Sequence, residues 1–131
     1  MEFNENEAIY LQIAGYVSEQ VLRGLWRPDD KVPSVRELAG SLQVNPNTVM
    51  RTYEHLQAQQ VLYNRRGLGL FVAPEAAQRV QEQRKSRFLQ TELPAFFRTI
   101  RLLGVALPDV QARYEQFLAD NPEPAATPLP S

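Results

Sequence analysis

Two helix starts, Ser34 and Asn45, stand eleven residues apart and limit what this chain can fold into. Ser34 opens an S-x-x-E pattern, so its hydroxyl can accept the Glu37 N–H while the Glu37 carboxylate accepts the Ser34 N–H. Asn45 is a favourable N-cap. Pro46 suits the first helical position, because the N–H it lacks would be unpaired there anyway. Val35, Leu38, Ala39 and Leu42 give the first helix of the pair an inward side. Val49, Tyr53 and Leu56 do the same for the second, which is predicted to run to about Gln59. Two brief helices joined by a short polar turn make a helix-turn-helix. Its second helix turns Asn47, Met50, Arg51 and Glu54 outward, with Thr48 on the flank.

The flanks extend this unit. Ile9, Ile13, Val17 and Val21, with Tyr16 beside them, predict a helix over residues 7–23 that stops at Gly24. Arg27-Pro28-Asp29-Asp30 reads as a turn, and Lys31-Val32-Pro33 as an extended bridge too short for more. Beyond the pair, Val61-Leu62-Tyr63-Asn64 and Leu70-Phe71-Val72-Ala73 predict a hairpin around Arg65-Arg66-Gly67-Leu68-Gly69. The glycines permit a tight tip, and both arginines are expected on it. Three helices followed by a basic hairpin form a winged helix-turn-helix, assigned to residues 1–74.

After Pro74 the composition shifts to Ala, Gln, Glu and Arg. One long helix to about Leu103 is predicted, bent or interrupted near Pro94 and ended by Gly104, then a last helix over residues 107–119. Two helices cannot bury Phe88, Phe96, Phe97, Ile100, Leu103, Tyr114, Phe117 and Leu118 by themselves. Residues 75–120 are therefore expected to be a dimerisation segment, and the proline-rich residues 121–131 a disordered tail. The fold class is mainly α with a small β-hairpin.

Composition sets outer bounds. No apolar run approaches a membrane span, and the acidic start Met1-Glu2-Phe3-Asn4-Glu5 lacks the pattern of a signal peptide. A soluble cytoplasmic protein without membrane contact is the expectation. With no cysteine, there is no disulfide framework, thiolate metal site or cysteine nucleophile. His55 is the sole histidine and lacks partners for metal or general-base work, and Gly67-Leu68-Gly69 sits in no strand-then-helix context for a nucleotide. Glu82, Glu92 and Asp109 are scattered. No cofactor, metal or enzymatic activity is expected.

A net charge of −1 gives no global pull toward nucleic acid, but Lys31, Arg36, Arg51, Arg65 and Arg66 outnumber Glu37 and Glu54 between residues 31 and 72. Arg51 can make a bidentate contact with guanine, and Asn47 can pair with adenine. Arg36 can meet phosphate beside a helix start, and Arg65 and Arg66 can meet phosphate or enter a minor groove. Each also has a plainer reading as a solvated surface residue. The capping box, turn and hairpin around them favour double-stranded DNA. The competing class is a winged helix that docks proteins instead, for which an acidic or apolar wing would have argued.

Together these residues resemble the GntR family of bacterial transcription regulators. The resemblance rests on Ile9-Tyr10-Leu11-Gln12-Ile13, Pro33-Ser34-Val35-Arg36-Glu37-Leu38-Ala39, Thr48-Val49, Leu56 and Gly67-Leu68-Gly69-Leu70-Phe71-Val72. Asn45-Pro46-Asn47-Thr48-Val49 followed by Arg51 and Tyr53 looks like the YtrA and MocR branches, and the 57 residues after Pro74 are too few for the large MocR domain. The YtrA-type resemblance implies a homodimeric repressor of an inverted-repeat operator, often of a transporter operon. It implies DNA contacts from Arg36, the start of the third helix and Arg66-Gly67. Pro46 and Met50 stand where many members carry basic residues, so Asn47, Thr48 and Arg51 are expected to take over base readout, with Ser34 and Asn45 as further DNA contacts at the helix starts. A small-molecule effector is an allowed further partner, though no residue cluster points to one.

Overall fold

The computed structural model describes residues 2–3 and 7–122, which fall into two compact units dividing between Glu82 and Gln83. Of the tail expected from Asn121, all but Asn121 and Pro122 lies outside the described residues.

In the first unit, α1 (Ile9–Leu22) buries Ile13, Ala14, Val17 and Val21, while Ile9, expected in the same stripe, is exposed. Gly24, in the left-handed conformation at φ 74°, ends it: the Gly24 N–H reaches the Val21 carbonyl and the Leu25 N–H that of Gln20. Helix α2 (Val35–Leu42) opens with the expected reciprocal cap, at 3.1 Å in both directions between Ser34 and Glu37. Its end was not foreseen: Gln43 takes the left-handed conformation at φ 56°, and the Val44 N–H closes on the Ala39 carbonyl at 3.0 Å. Helix α3 (Pro46–Ala58) starts with the Asn45 side chain accepting the Asn47 N–H at 2.8 Å.

Replacing Ser34 with Ala is expected to cost about 1 kcal/mol, the usual loss for a serine N-cap, with Ser34→Asp recovering most of it. Denaturant titration of the three proteins checks this. The Glu37 carboxyl is held below the ordinary carboxylate value, first by the Ser34 backbone N–H and then by the Ser34 hydroxyl; desolvation opposes this, and nearby Lys31 adds the smallest lowering. A lowered native pKa stabilises above the unfolded value and is lost as pH falls through the native one. The cap therefore holds at neutral pH and weakens only in acid.

Strands β1 (Leu62–Arg65) and β2 (Gly69–Val72) pair antiparallel, Leu62 opposite Val72 and Arg65 opposite Gly69. The segment predicted as a bare bridge takes the other edge of β2. Lys31 pairs with Phe71, the Val32 N–H reaches the Leu70 carbonyl, and Asp30 and Asp29 bond to Val72. This edge pairing buries Val32 with the core. The core joins α1, α2, α3, the hairpin and the start of α4 (Ala76–Arg87), where Ala76 and Val80 are buried.

Thr52 is fully buried, a feature the apolar pattern missed. Its hydroxyl, 2.9 Å from the Tyr10 carbonyl and 3.0 Å from that of Thr48, ties α3 to α1. The buried Tyr53 hydroxyl donates to the Pro33 carbonyl at 2.7 Å, anchoring α3 beneath the start of α2. Burial, and secondarily the negative charge of Glu37, pushes the Tyr53 pKa far up, so this donor keeps its proton.

In the second unit the interruption falls earlier than Pro94. Phe88–Glu92 form a π-helical turn, and α5 (Leu93–Leu103) resumes with Pro94 in its first turn. A proline inside a regular helix would clash with the carbonyl four residues back; the wider turn just before it relieves that clash. Gly104, at φ 71°, ends α5 as expected, and α6 (Leu107–Asp120) follows. Neither α5 nor α6 has a buried residue.

Candidate nucleic-acid interface

Three segments of the first unit carry the expected contact residues. At the start of α2, Ser34 and Arg36 are exposed. The Ser34 hydroxyl takes part in the cap, accepting the Glu37 N–H and lying against the Glu37 carboxylate. Arg36 has no hydrogen-bond or ion-pair partner among the described residues, so its guanidinium stands in solvent beside a helix N-terminus, where an anion is favoured.

On α3, Asn45, Asn47, Met50 and Arg51 are exposed, and Thr48 is half-buried. Asn45 uses its carbonyl oxygen for the cap, leaving its amide N–H₂ outward. The Arg51 guanidinium carbon lies 4.0 Å above the Tyr10 ring centroid, and that ring in turn meets His55 edge-on at 5.9 Å. Beyond a tyrosine near the start of α1, no sequence pattern announces this platform. Stacking covers one face of the guanidinium, whereas its N–H donors lie in the plane, so the edge that would meet a guanine stays open. A base-reading arginine held in this way loses less side-chain freedom on binding.

The wing departs from expectation. Leu68 closes a tight turn on the Arg65 carbonyl at 2.9 Å, with Gly67 at φ 80° and Gly69 at φ 108°. The tip is thus Arg66-Gly67-Leu68, and Arg65 is the last residue of β1. Its side chain folds back on the hairpin: the guanidinium carbon sits 4.2 Å from the Phe71 ring centroid, Nη2 lies 2.6 Å from the Tyr63 hydroxyl and 3.5 Å from the Asp29 carboxylate. Only Arg66 stands at the tip without a partner among the described residues. Lys31 is one of the basic residues of this stretch but lies outside the expected site residues. Its Cε lies 3.4 Å from where a Cβ on Gly69 would be, which puts another exposed cation beside the wing.

The residues expected at a dimer contact are open on a single chain. Phe88, Phe96, Phe97, Leu103, Tyr114, Phe117 and Leu118 are all exposed and Ile100 is half-buried. Leu89, Leu102, Val105 and Leu107 add to the exposed apolar surface. Among the described residues no group of His, Cys, Asp and Glu could hold a metal ion, and no helix is long and apolar enough to cross a membrane.

Comparison with known proteins bears on this arrangement. The profile of bacterial regulatory proteins of the gntR family matches residues 9–72, which spans α1 to the end of β2. The chain is 36% identical over 104 residues to the HTH-type transcriptional regulator YhcF of Bacillus subtilis (strain 168), covering 79% of this chain and 84% of the relative. It is 32% identical over 112 residues to the HTH-type transcriptional repressor YtrA of the same organism, covering 86% and 85%. Among solved structures, a transcriptional regulator of the GntR family from Bacteroides thetaiotaomicron superimposes with a TM-score of 0.78 at 42% identity, over 87% of this chain and 99% of that one. These relatives are matched through the helices after the wing as well as through the winged helix. The chain is therefore a DNA-binding transcription regulator of the GntR family.

Proposed function

We propose that this regulator is a YtrA-type repressor that binds an inverted-repeat operator as a homodimer. Each protomer places α3 in a major groove, with half-site centres about 10 base pairs, or a multiple, apart. Asn47, Thr48 and Arg51 read bases. Ser34, Arg36, Asn45, Arg66 and Gly67 hold the phosphate backbone. The face formed by Phe88, Phe96, Phe97, Ile100, Leu103, Tyr114, Phe117 and Leu118 joins the protomers. The single observation that carries this reading is the combination of an exposed polar α3 face with a second unit whose α5 and α6 bury none of their residues. The YtrA-type resemblance further suggests a transporter operon as the regulated target.

Gel retardation of a duplex from the protein's own promoter, over a range of salt, tests the reading. Arg36 and Arg66 from two protomers predict that log affinity falls against log salt with a slope of roughly −4, since each phosphate contact contributes about −0.9. No retardation even of random duplex at low salt would favour the protein-docking use of a winged helix.

A further inference from the structure

Arg65, Tyr63, Phe71 and Asp29 form one connected group at the base of the wing. Tyr63 and Arg65 are two apart on β1 and so share a face, and Phe71 is the register partner of Tyr63. The Tyr63 hydroxyl donates to Asp29 Oδ1 and accepts from Arg65 Nε at 3.0 Å and Nη2 at 2.6 Å, so its donor and both its lone pairs are in use. Arg65 also stacks on Phe71 at 4.2 Å, and its charge is offset by Asp29 at 3.5 Å. A surface ion pair alone would hold little, but stacking plus a shared hydroxyl fix the direction of the side chain.

Asp29 adds a second observation. Its φ is 65°, a left-handed conformation that glycine adopts without strain and other residues adopt less readily. Its N–H is bound to the Val72 carbonyl at 2.8 Å, so the backbone there is fixed by β2. At such a position the carboxylate is what aspartate adds over glycine, and that carboxylate binds Tyr63 and Arg65. The Tyr63 hydroxyl pKa is raised, chiefly by its hydrogen bond to Asp29.

We infer that Asp29 is a positioning residue of the wing: through Tyr63 it docks Arg65 against Phe71, so that of the wing's two arginines only Arg66 is free to meet DNA. The inference rests on the reading of the wing as a DNA contact. It reassigns Arg65 from phosphate binding to bracing of the hairpin, and makes the charge offered by the wing one per protomer instead of two.

The test measures the salt slope of binding to a random-sequence DNA duplex for the full chain and four variants. Arg66→Met should lower the slope magnitude by about 0.9 for each phosphate contact removed, and Arg65→Met should leave it at the parent value. Asp29→Gly, which suits the backbone there, should free Arg65 and steepen the slope. Adding Arg65→Met to Asp29→Gly should return the slope to the parent value. Equal losses from Arg65→Met and Arg66→Met, or an unchanged slope in Asp29→Gly, would overturn the assignment. NMR of the DNA-free protein provides an independent arm. The Arg65 Nε–H should give a slowly exchanging signal that Asp29→Gly abolishes, and exchange as fast as that of Arg66 in the parent would also overturn it. A parent that binds no duplex at any salt would defeat the DNA reading of the wing and the role built on it. A persistent Arg65 signal in that case would locate the failure in the DNA reading and not in the side-chain network.

Discussion

Phe97→Glu is expected to convert the protein into a monomer and weaken operator binding by a factor on the order of 10² to 10⁴, the usual worth of a second linked site. Phe96, Phe97, Ile100 and Leu103 recur along α5 at spacings that put them on neighbouring positions of one helix surface, and Phe97 is 47% exposed in a single chain. Helix α6 presents Tyr114, Phe117 and Leu118 in the same state. Burying one such side chain stabilises by about 1.5–3 kcal/mol, and several together are enough to hold two protomers. A carboxylate in the middle of that surface would have to be desolvated without a partner, so association fails. The core, from Ile13 to Val80, lies outside α5 and α6, so circular dichroism should still report a folded first unit. Light scattering gives the mass and Phe117→Glu serves as an independent second variant. If both variants remained dimers with parental operator affinity, the apolar face would have another use.

Leu56→Ala is expected to destabilise the first unit by about 2–5 kcal/mol, the range for removing a fully buried leucine. Leu56 has no exposed surface and belongs to a cluster with Ile13, Val17, Val49 and Leu62. The loss combines reduced apolar burial with a cavity beneath α3. For a domain with total stability of about 5–15 kcal/mol, such a loss takes a large share of it. The control is Met50→Ala on the outward side of the same helix, where 48% exposure predicts a change within about 0.5 kcal/mol. Urea unfolding of the two variants against the parent measures both. A loss below about 1 kcal/mol for Leu56→Ala would mean that α3 is not held by close packing on its inner face.

What the sequence made legible was local. The Ser34–Glu37 box, the Asn45 cap with Pro46 and the stops at Gly24 and Gly104 each depend on groups within a few residues, and each stands where expected. The buried side of α3 was legible for the same reason, since Val49, Tyr53 and Leu56 announce it by spacing. Thr52 escaped because its hydroxyl is satisfied by Tyr10, forty-two residues away, a pairing that no local pattern encodes. The edge pairing of Lys31 with Phe71 and the hold of Asp29 on Arg65 escaped likewise. Arg65 and Arg66 looked equivalent as neighbours in a basic turn. A signal was present in the two-residue spacing of Tyr63 and Arg65 on one strand face, but the acid that completes the group comes from a distant turn. At Pro94 the sequence marked the disturbance, while the carbonyl the ring would strike placed the π-turn before it.

If α3 reads sequence, the consequence falls first on Arg51. Affinity should be measured for a duplex from the protein's own promoter and for a scrambled duplex of equal length, using the parent and Arg51→Ala. The parent should prefer the promoter by a factor on the order of 10³ or more. Arg51→Ala should lose about 1–3 kcal/mol on the promoter and little on the scrambled duplex. Equal parental affinity for both duplexes, or an equal loss on both in the variant, would contradict sequence reading by α3.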